Sequence, residues 1–172
     1  MPSNLSNVYK FSSLINTTLA KEGLLVASSG ADGKSNVMTI GWGEVGVLWS
    51  KPFFIAFIRK SRYTYELIEQ SGDFTVNVPP EGFKKVIDFC GTETGRKVDK
   101  IKKLGLKVQP SKAVKSPTLS DCLVTLECKV MFKKRIVKKD IPSDMKKRFY
   151  DKGDYHTCYF AEIVNVTSRN IP

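Results

Sequence analysis

The sequence predicts a mainly β fold, an antiparallel barrel or sandwich with short flanking helices. Three observations carry this expectation. Over residues 124–133 apolar Val124, Leu126, Cys128, Val130 and Phe132 alternate with polar Thr125, Glu127, Lys129 and Lys133, and only Met131 breaks the rhythm. A strand of that length, dry on one side and wet on the other, belongs to an antiparallel sheet. Short β-prone runs also follow one another without helices of crossover length, which argues against a doubly wound parallel sheet. Finally, 172 residues suit a single domain spanning 1–172, large enough to bury a core without a disulfide or metal staple.

The elements follow in order. Residues 23–29 read as a buried strand, 30–33 as a turn and 35–42 as the returning strand. Lys51-Pro52 interrupts the chain, and the aromatic and β-branched run 53–58 is a further buried strand. Residues 62–70 form a helix stopped by Gly72. In 73–78, Phe74, Val76 and Val78 alternate with polar residues, the pattern of a half-buried strand that Pro79-Pro80 ends. Short helices are expected at 82–89, ending near Gly91, at 98–104, and at 144–150 with Ser143 as N-cap; residues 155–166 are the last strand.

Composition narrows the function. The chain holds 28 Lys+Arg and 17 Asp+Glu, a net charge of +11. Residues 84–152 carry a net +12 and the remainder −1, so the basicity belongs to the second half. Nucleic acid, an acidic surface or small polyanions such as nucleotide cofactors would each account for it, as would a solvated lysine-rich surface. No helix-turn-helix, zinc-finger or RNP-like signature accompanies the charge, which disfavours nucleic acid. The longest apolar run is six residues, against about 20 needed to cross a bilayer. With no secretory pattern at the N-terminus, the expected location is the cytoplasm. Four cysteines without a CxxC pair, and the single His156, make no metal site. Reduced thiols are expected, with Cys122 and Cys128 on one face of a strand.

Four motifs carry chemistry. Gly41-Trp42-Gly43-Glu44-Val45-Gly46 matches GxGxxG, but β-prone residues and Pro52 follow where the dinucleotide fingerprint needs a helix. The glycines are instead expected to serve a tight bend between strands. Arg59-Lys60-Ser61-Arg62-Tyr63-Thr64 joins a strand to a helix N-terminus, where free N–H groups, hydroxyls and arginines suit a phosphate; a plain N-cap with solvated cations is the other reading. Thr92–Lys100 is a hydroxyl- and glycine-bearing loop with three cations, a second phosphate-facing loop or simply an exposed one. Gly153-Asp154-Tyr155-His156 opens the last strand, and a lone histidine there is either structural or catalytic.

Taken in order, Asn36-Val37-Met38-Thr39 with Trp42, Arg59-x-Ser61-Arg62-x-Thr64, Phe74-Thr75-Val76-Asn77-Val78-Pro79, Thr94-Gly95-Arg96 with Asp99-Lys100, Leu126-Glu127-Cys128, and Gly153-Asp154 with His156 resemble the flavin reductase-like, FMN-binding split-barrel family. That family includes flavoredoxin and the NAD(P)H:flavin oxidoreductases. The resemblance runs from about residue 14 to 167. It implies a Greek-key split β-barrel, a homodimer, and FMN at a barrel rim near the subunit interface. It places Asn36, Val37, Met38 and Thr39 along the isoalloxazine, largely through backbone groups. Ser61, Arg62 and Thr64 would hold the phosphate with Arg59 close by, Asn77 would lie near the ribityl or ring, and Arg96 and Lys100 would approach the phosphate from the second loop. His156 would stand by the open face, as the one catalytic candidate. Tyr155 intervenes where the family has histidine directly after Gly-Asp, and a one-residue shift in a strand reverses the face.

The implied activity is that of an oxidoreductase taking hydride from NADH or NADPH, or electrons from a redox protein, through bound FMN. The residues agree: a flavin carries the redox chemistry itself, so the absence of a triad, paired carboxylates or metal motif is expected. Two alternatives remain open at this stage: a non-enzymatic basic β-barrel binding nucleic acid or an acidic partner protein, and a relative holding another cofactor such as haem, for which His156 is the single histidine ligand.

Overall fold

The computed structural model describes residues 7–169. The chain begins with two helices, α1 (Asn7–Lys10) and α2 (Ser12–Lys21). Strands β1 (Leu24–Ser29), β2 (Ser35–Ile40), β3 (Gly43–Leu48) and β4 (Lys51–Arg59) follow as a run of hairpins. Helix α3 (Tyr63–Ser71) leads to β5 (Asp73–Val78), and α4 (Lys84–Thr92) and α5 (Lys100–Leu104) come next. The small ladder of β6 (Val108–Gln109) and β7 (Thr118–Leu119) precedes the long β8 (Val124–Arg135). A 3-10 turn (Lys138–Asp140) and α6 (Ser143–Phe149) connect β8 to β9 (His156–Ser168).

Seven strands form one antiparallel sheet in the order β2-β1-β5-β8-β9-β4-β3. β2 and β3 end that sheet and do not pair with each other, so the curled sheet is open between them. β8 bends through irregularities at Glu127/Cys128 and Val130/Phe132, devices that let one strand serve a curved sheet. The main core lies inside the curl, where Val26, Met38, Phe54, Phe74, Leu126 and Ile163 meet under α2 through Ile15 and Leu19. A second cluster lies behind β1 and β2, where Leu25, Ala27 and Val37 pack on Ile87 and Cys90 of α4.

Several expectations need correction. The GxGxxG glycines do not share one bend: only Gly41 and Trp42 turn the chain, and Gly43 and Gly46 lie inside β3, paired with Ala56 and Phe53. The next turn is Trp49-Ser50, with φ of 50° and 59°, the left-handed pair that a two-residue hairpin requires. Pro52 falls inside β4 near its start rather than before it. Helix α3 starts at Tyr63 and stops at Gly72 (φ 72°), as the glycine implied. Ser143 is the first residue of α6, behind Pro142, and makes no side-chain cap. Cys122 belongs to the second cluster and Cys128 to the main core, so they do not share a face; all four thiols are free and buried.

The largest difference is in β5 and the first half of β8, whose polar sides are dry, whereas Lys129 and Lys133 are exposed. Asp73, Thr75 and Asn77 are buried, as are Thr125 and Glu127. The segment between β6 and β7 covers them and supplies partners. The Asp73 carboxylate accepts from the N–H groups of Lys115 and Ser116 at 2.9 and 3.0 Å. Glu127 accepts from Lys112 and Ala113 N–H at 3.1 and 2.6 Å, and from Asn165 Nδ2 at 2.7 Å. Buried carboxylates persist because each is paired with several donors.

Candidate functional site

Because β2 ends the sheet, alternate backbone groups along its outer edge have no strand partner. A cleft follows that edge. One hollow of about 100 Å³ is lined by Asn36, Arg62, Thr64, Thr94, Gly95 and Lys100 among others. A second of about 140 Å³ is lined by Thr39, Trp42, Phe57, Arg59 and His156. Met38 and Arg62 line both, which joins them into one cleft with two ends.

The first end is built for an anion. Arg62 ends the β4–α3 connection in extended backbone, and the first-turn N–H groups of Tyr63 and Thr64 have no acceptor within the helix. Arg62 reaches across to donate to the Gly91 carbonyl at 3.1 Å. Buried Asn36 donates from Nδ2 to Thr64 Oγ1 at 2.8 Å, fixing the threonine while leaving its own proton to give. Gly95 closes over this pair: a Cβ there would lie 2.2 Å from Asn36 Oδ1 and 2.8 Å from Tyr63 Cδ1, so only glycine fits. Lys100 is 3% exposed, and its ammonium donates to the carbonyls of Cys90 and Glu93 at the end of α4, at 3.0 and 3.2 Å. Burial holds its pKa below the ordinary lysine value, and Arg62 nearby adds to the effect.

The second end is aromatic. Trp42 and His156 lie 4.6 Å apart, ring centre to ring centre, and Phe149 meets Trp42 edge-on at 5.1 Å. The Tyr150 hydroxyl bonds His156 Nδ1 at 2.8 Å. Burial, with Arg59 beside it, pushes the His156 pKa down to about 4, so the imidazole is neutral at neutral pH. Arg59 donates to the Phe149 and Asp154 carbonyls at 2.8 and 3.0 Å and lies over the Tyr150 ring. It thus fastens the β8–β9 connection to the end of β4.

The sequence-predicted residues divide accordingly. Asn36, Met38, Ser61, Arg62, Thr64 and Lys100 meet at the anion end, and Thr39, Arg59 and His156 at the aromatic end. Arg59 is therefore not beside the anion hollow but employed in the aromatic wall. Ser61 is engaged: its N–H and hydroxyl both bond the Asp154 carboxylate, at 3.3 and 2.5 Å. Val37 turns away into the second core cluster. The Thr39 hydroxyl donates to the Ile87 carbonyl at 2.6 Å. Arg96 lies one step out, donating to the Ser61 carbonyl at 2.8 Å and to Glu66 at 2.5 Å, with its guanidinium over Tyr63. It borders an adjoining hollow of about 480 Å³ with Lys97 and Lys102.

Asn77 does not belong to the cleft. It is fully buried between strands, donating to the Leu25 carbonyl and Thr75 and accepting from Leu119 N–H and the Thr125 hydroxyl. Its amide is spent on joining β5 to its neighbours. The intervening Tyr155 does not turn His156 away, because β9 begins at His156 and Tyr155 stays outside it, stacked on Tyr150 at 4.9 Å. Gly153 and Asp154 turn the chain in left-handed backbone just before the strand, with φ of 76° and 53°. Tyr63, Phe149, Tyr150 and Asp154 were missed as site residues. Asp154 had a signal, the Gly-Asp pair before the strand; the aromatic residues had none beyond their type.

The open curl and its edge cleft define a split-barrel protein. The chain belongs to the flavin reductase like domain family, whose model matches residues 18–171. An uncharacterized protein of Archaeoglobus fulgidus is 36% identical over 134 residues, covering 78% of this chain and 66% of that protein. The chain thus spans just under two thirds of that relative. Among solved structures, flavoredoxin from Methanosarcina acetivorans is 27% identical, with a TM-score of 0.66 over 87% of this chain and 69% of that one. A flavin reductase-type protein with a split barrel domain from Shewanella frigidimarina shares the fold at 15% identity, with a TM-score of 0.70 over 94% of this chain and 74% of that one.

Proposed function

We propose that the chain is an FMN-binding oxidoreductase that works as a homodimer. One observation carries the reading: a single cleft along an unpaired strand edge, with a cationic, hydroxyl-bearing end and an aromatic end. FMN has that polarity, an anionic phosphate on a polar chain and a flat ring with polar edges. The residues fit it at both ends. Arg62, Thr64 and the first-turn N–H groups of α3 would hold the phosphate, and the free edge of β2 would meet the ring's polar rim. Asp154 competes for Ser61, so a phosphate either displaces that carboxylate or does without the serine. Bound FMN supplies the electron and hydride chemistry; the protein binds, orients and shields it. Neutral His156 and Trp42 form a wall against which a flat donor could stack. The hydride donor in this reading is NADH or NADPH, with a redox protein as the other source of electrons.

The dimer reading draws support from an exposed apolar strip on β3, β8 and β9. Val47 and Trp49, the latter in the β3–β4 turn, are each 63% exposed, and Trp49 lies tilted against Phe132, which stacks on Phe160. A patch of this kind on a folded surface marks an association site. Light scattering on the purified protein should give twice the chain mass, and Trp49→Glu should halve it.

The central test is a titration with FMN followed by flavin fluorescence. Uptake with a yellow spectrum is expected. Arg62→Ala with Thr64→Ala should weaken it by about 2–4 kcal/mol, since hydrogen bonds to charged groups are worth roughly 1.5–3 kcal/mol each. A colourless protein that takes up no FMN, or an unchanged affinity in the double variant, rejects the assignment. Anaerobic addition of NADH and, separately, NADPH to the loaded protein distinguishes the donors by flavin bleaching.

A further inference from the structure

We propose that the lysine-rich connection between β8 and β9, with the end of β8, is the docking surface for a small acidic electron-transfer protein. The redox character of the partner rests on the FMN reading above; the charge-driven docking does not. Ten of the chain's 28 Lys and Arg lie between Lys129 and Lys152, against three carboxylates. Among the described residues only one of these ten, Lys133, has a carboxylate at ion-pair distance, that of Glu69. Elsewhere among the described residues Lys34, Lys51, Lys84 and Lys107 have a carboxylate partner and most other lysines do not, so what sets this stretch apart is the density of its cations against so few carboxylates. A concentration of cations with no internal counter-charge repels itself and gains the fold nothing, and an acidic surface laid against it would relieve that repulsion.

Its position gives such a surface a purpose. The connection forms one lip of the cleft: Arg59 bonds its Phe149 and Asp154 carbonyls, Phe149 packs on Trp42, and Tyr150 bonds His156. A protein seated on the lip stands one layer of side chains from the aromatic end. The surface itself is charged with scattered apolar points, since Val137 and Met145 are each 38% exposed among the lysines. Small, charge-steered interfaces of that kind serve brief electron-transfer encounters, in which complementary charge sets the on-rate.

The competing polyanions fit less well. Single-stranded nucleic acid is held on exposed aromatic faces, and here Tyr150 is 7% exposed, with Tyr155 stacked on it and Phe149 turned to Trp42, while Phe132, 38% exposed, is stacked on Phe160 within the strip assigned to the dimer. A membrane surface is met by an amphipathic helix, and α6 spans seven residues with only Met145 and Phe149 apolar. Two reduced one-electron carriers docking in succession would deliver two electrons to the bound flavin, each being oxidised once, with the accompanying protons coming from water.

The test uses an acidic [2Fe–2S] ferredoxin as probe, titrated calorimetrically into the full chain with and without FMN. Binding is expected in both cases and should weaken at least about tenfold when salt rises from roughly 50 to 300 mM, as screening demands. Lys138→Glu, Lys139→Glu and Lys147→Glu combined should weaken it by a further factor of about ten and slow flavin reduction by reduced ferredoxin equally. FMN uptake and reduction by dithionite should not change. Lys85→Glu with Lys103→Glu, on α4 and α5, should leave ferredoxin binding as it is. Unchanged binding in the triple variant overturns the proposal. So does retention of duplex DNA or phosphatidylserine vesicles, lost in the triple variant, by a protein that ignores ferredoxin. Ferredoxin binding that persists and obeys the triple variant while FMN is never taken up upholds the docking surface and overturns the flavin reading instead.

Discussion

At its anion end the cleft is assembled from three short stretches that each carry their own chemistry: the arginine and first helical turn after β4, the Thr94-Gly95-Arg96 loop, and Asn36 on the edge strand. At its aromatic end the same cleft is made of Trp42, Phe149, Tyr150 and His156, common aromatic residue types brought together from two distant segments, Trp42 and the 149–156 stretch. Each stretch of the first end is a short polar motif in itself. The second depends on packing and on one buried arginine contact, and no motif records it. The comparison teaches that a binding residue is legible when its backbone context confers its role, and hidden when a tertiary neighbour does.

Three experiments bear on that contrast. Gly95→Ala should have the largest effect, because its methyl must displace Asn36 from Thr64. A stability loss of about 1–3 kcal/mol by urea unfolding is expected from the overpacking, together with weakened FMN uptake. Wild-type behaviour would show that the close approach is easily relieved. Tyr150→Phe should cost less, about 1 kcal/mol, through the lost bond to His156, and should leave the phosphate grip intact. If it impairs FMN binding as strongly as Arg62→Ala, the two ends are not independent.

The smallest signal is a titration. His156 is the chain's one histidine, so its ring resonances can be followed by NMR without assignment. They should remain those of the neutral ring from pH 7 down to about 5, because the folded pKa lies near 4 instead of 6.5. The linkage has a definite sign. As pH falls below 6.5 the unfolded chain takes up the proton first, so stability is undiminished above 6.5 and declines through the interval down to about 4. A midpoint near 6.5 in the folded protein would remove the burial of the imidazole from the account.

Much of the fold could be read in advance. Alternation found β8, apolar runs found β1 and β4, and Gly72 marked the end of α3. The polar sides of β5 and of the first half of β8 were read as wet because Asp73, Asn77, Thr125 and Glu127 are polar. They are dry because backbone N–H groups of a remote, irregular segment satisfy several of them, a fact that no local pattern carries. Asn77 was placed near the ribityl or ring by the resemblance alone, and its buried amide ties strands together instead. Helix α2 was not foreseen because only Ile15 and Leu19 of its ten residues are buried, too thin a stripe to register. In the cleft, Asn36, expected along the ring, stands instead with Arg62 and Thr64 at the anion end, whereas Arg59 and Lys100 spend their charge on carbonyls of neighbouring segments.

The stretch from Ser111 to Ser116 resembles a loose connector: no helix or strand, two exposed lysines and a proline on either side. Yet four of its amides are nailed to the carboxylates of Asp73 and Glu127. A protease must straighten a peptide before cutting it, and here straightening means stripping two submerged anions of their donors. Trypsin should therefore spare Lys112 and Lys115 for as long as the sheet stays whole, and cleavage there would report collapse of the barrel rather than the mobility of a loop.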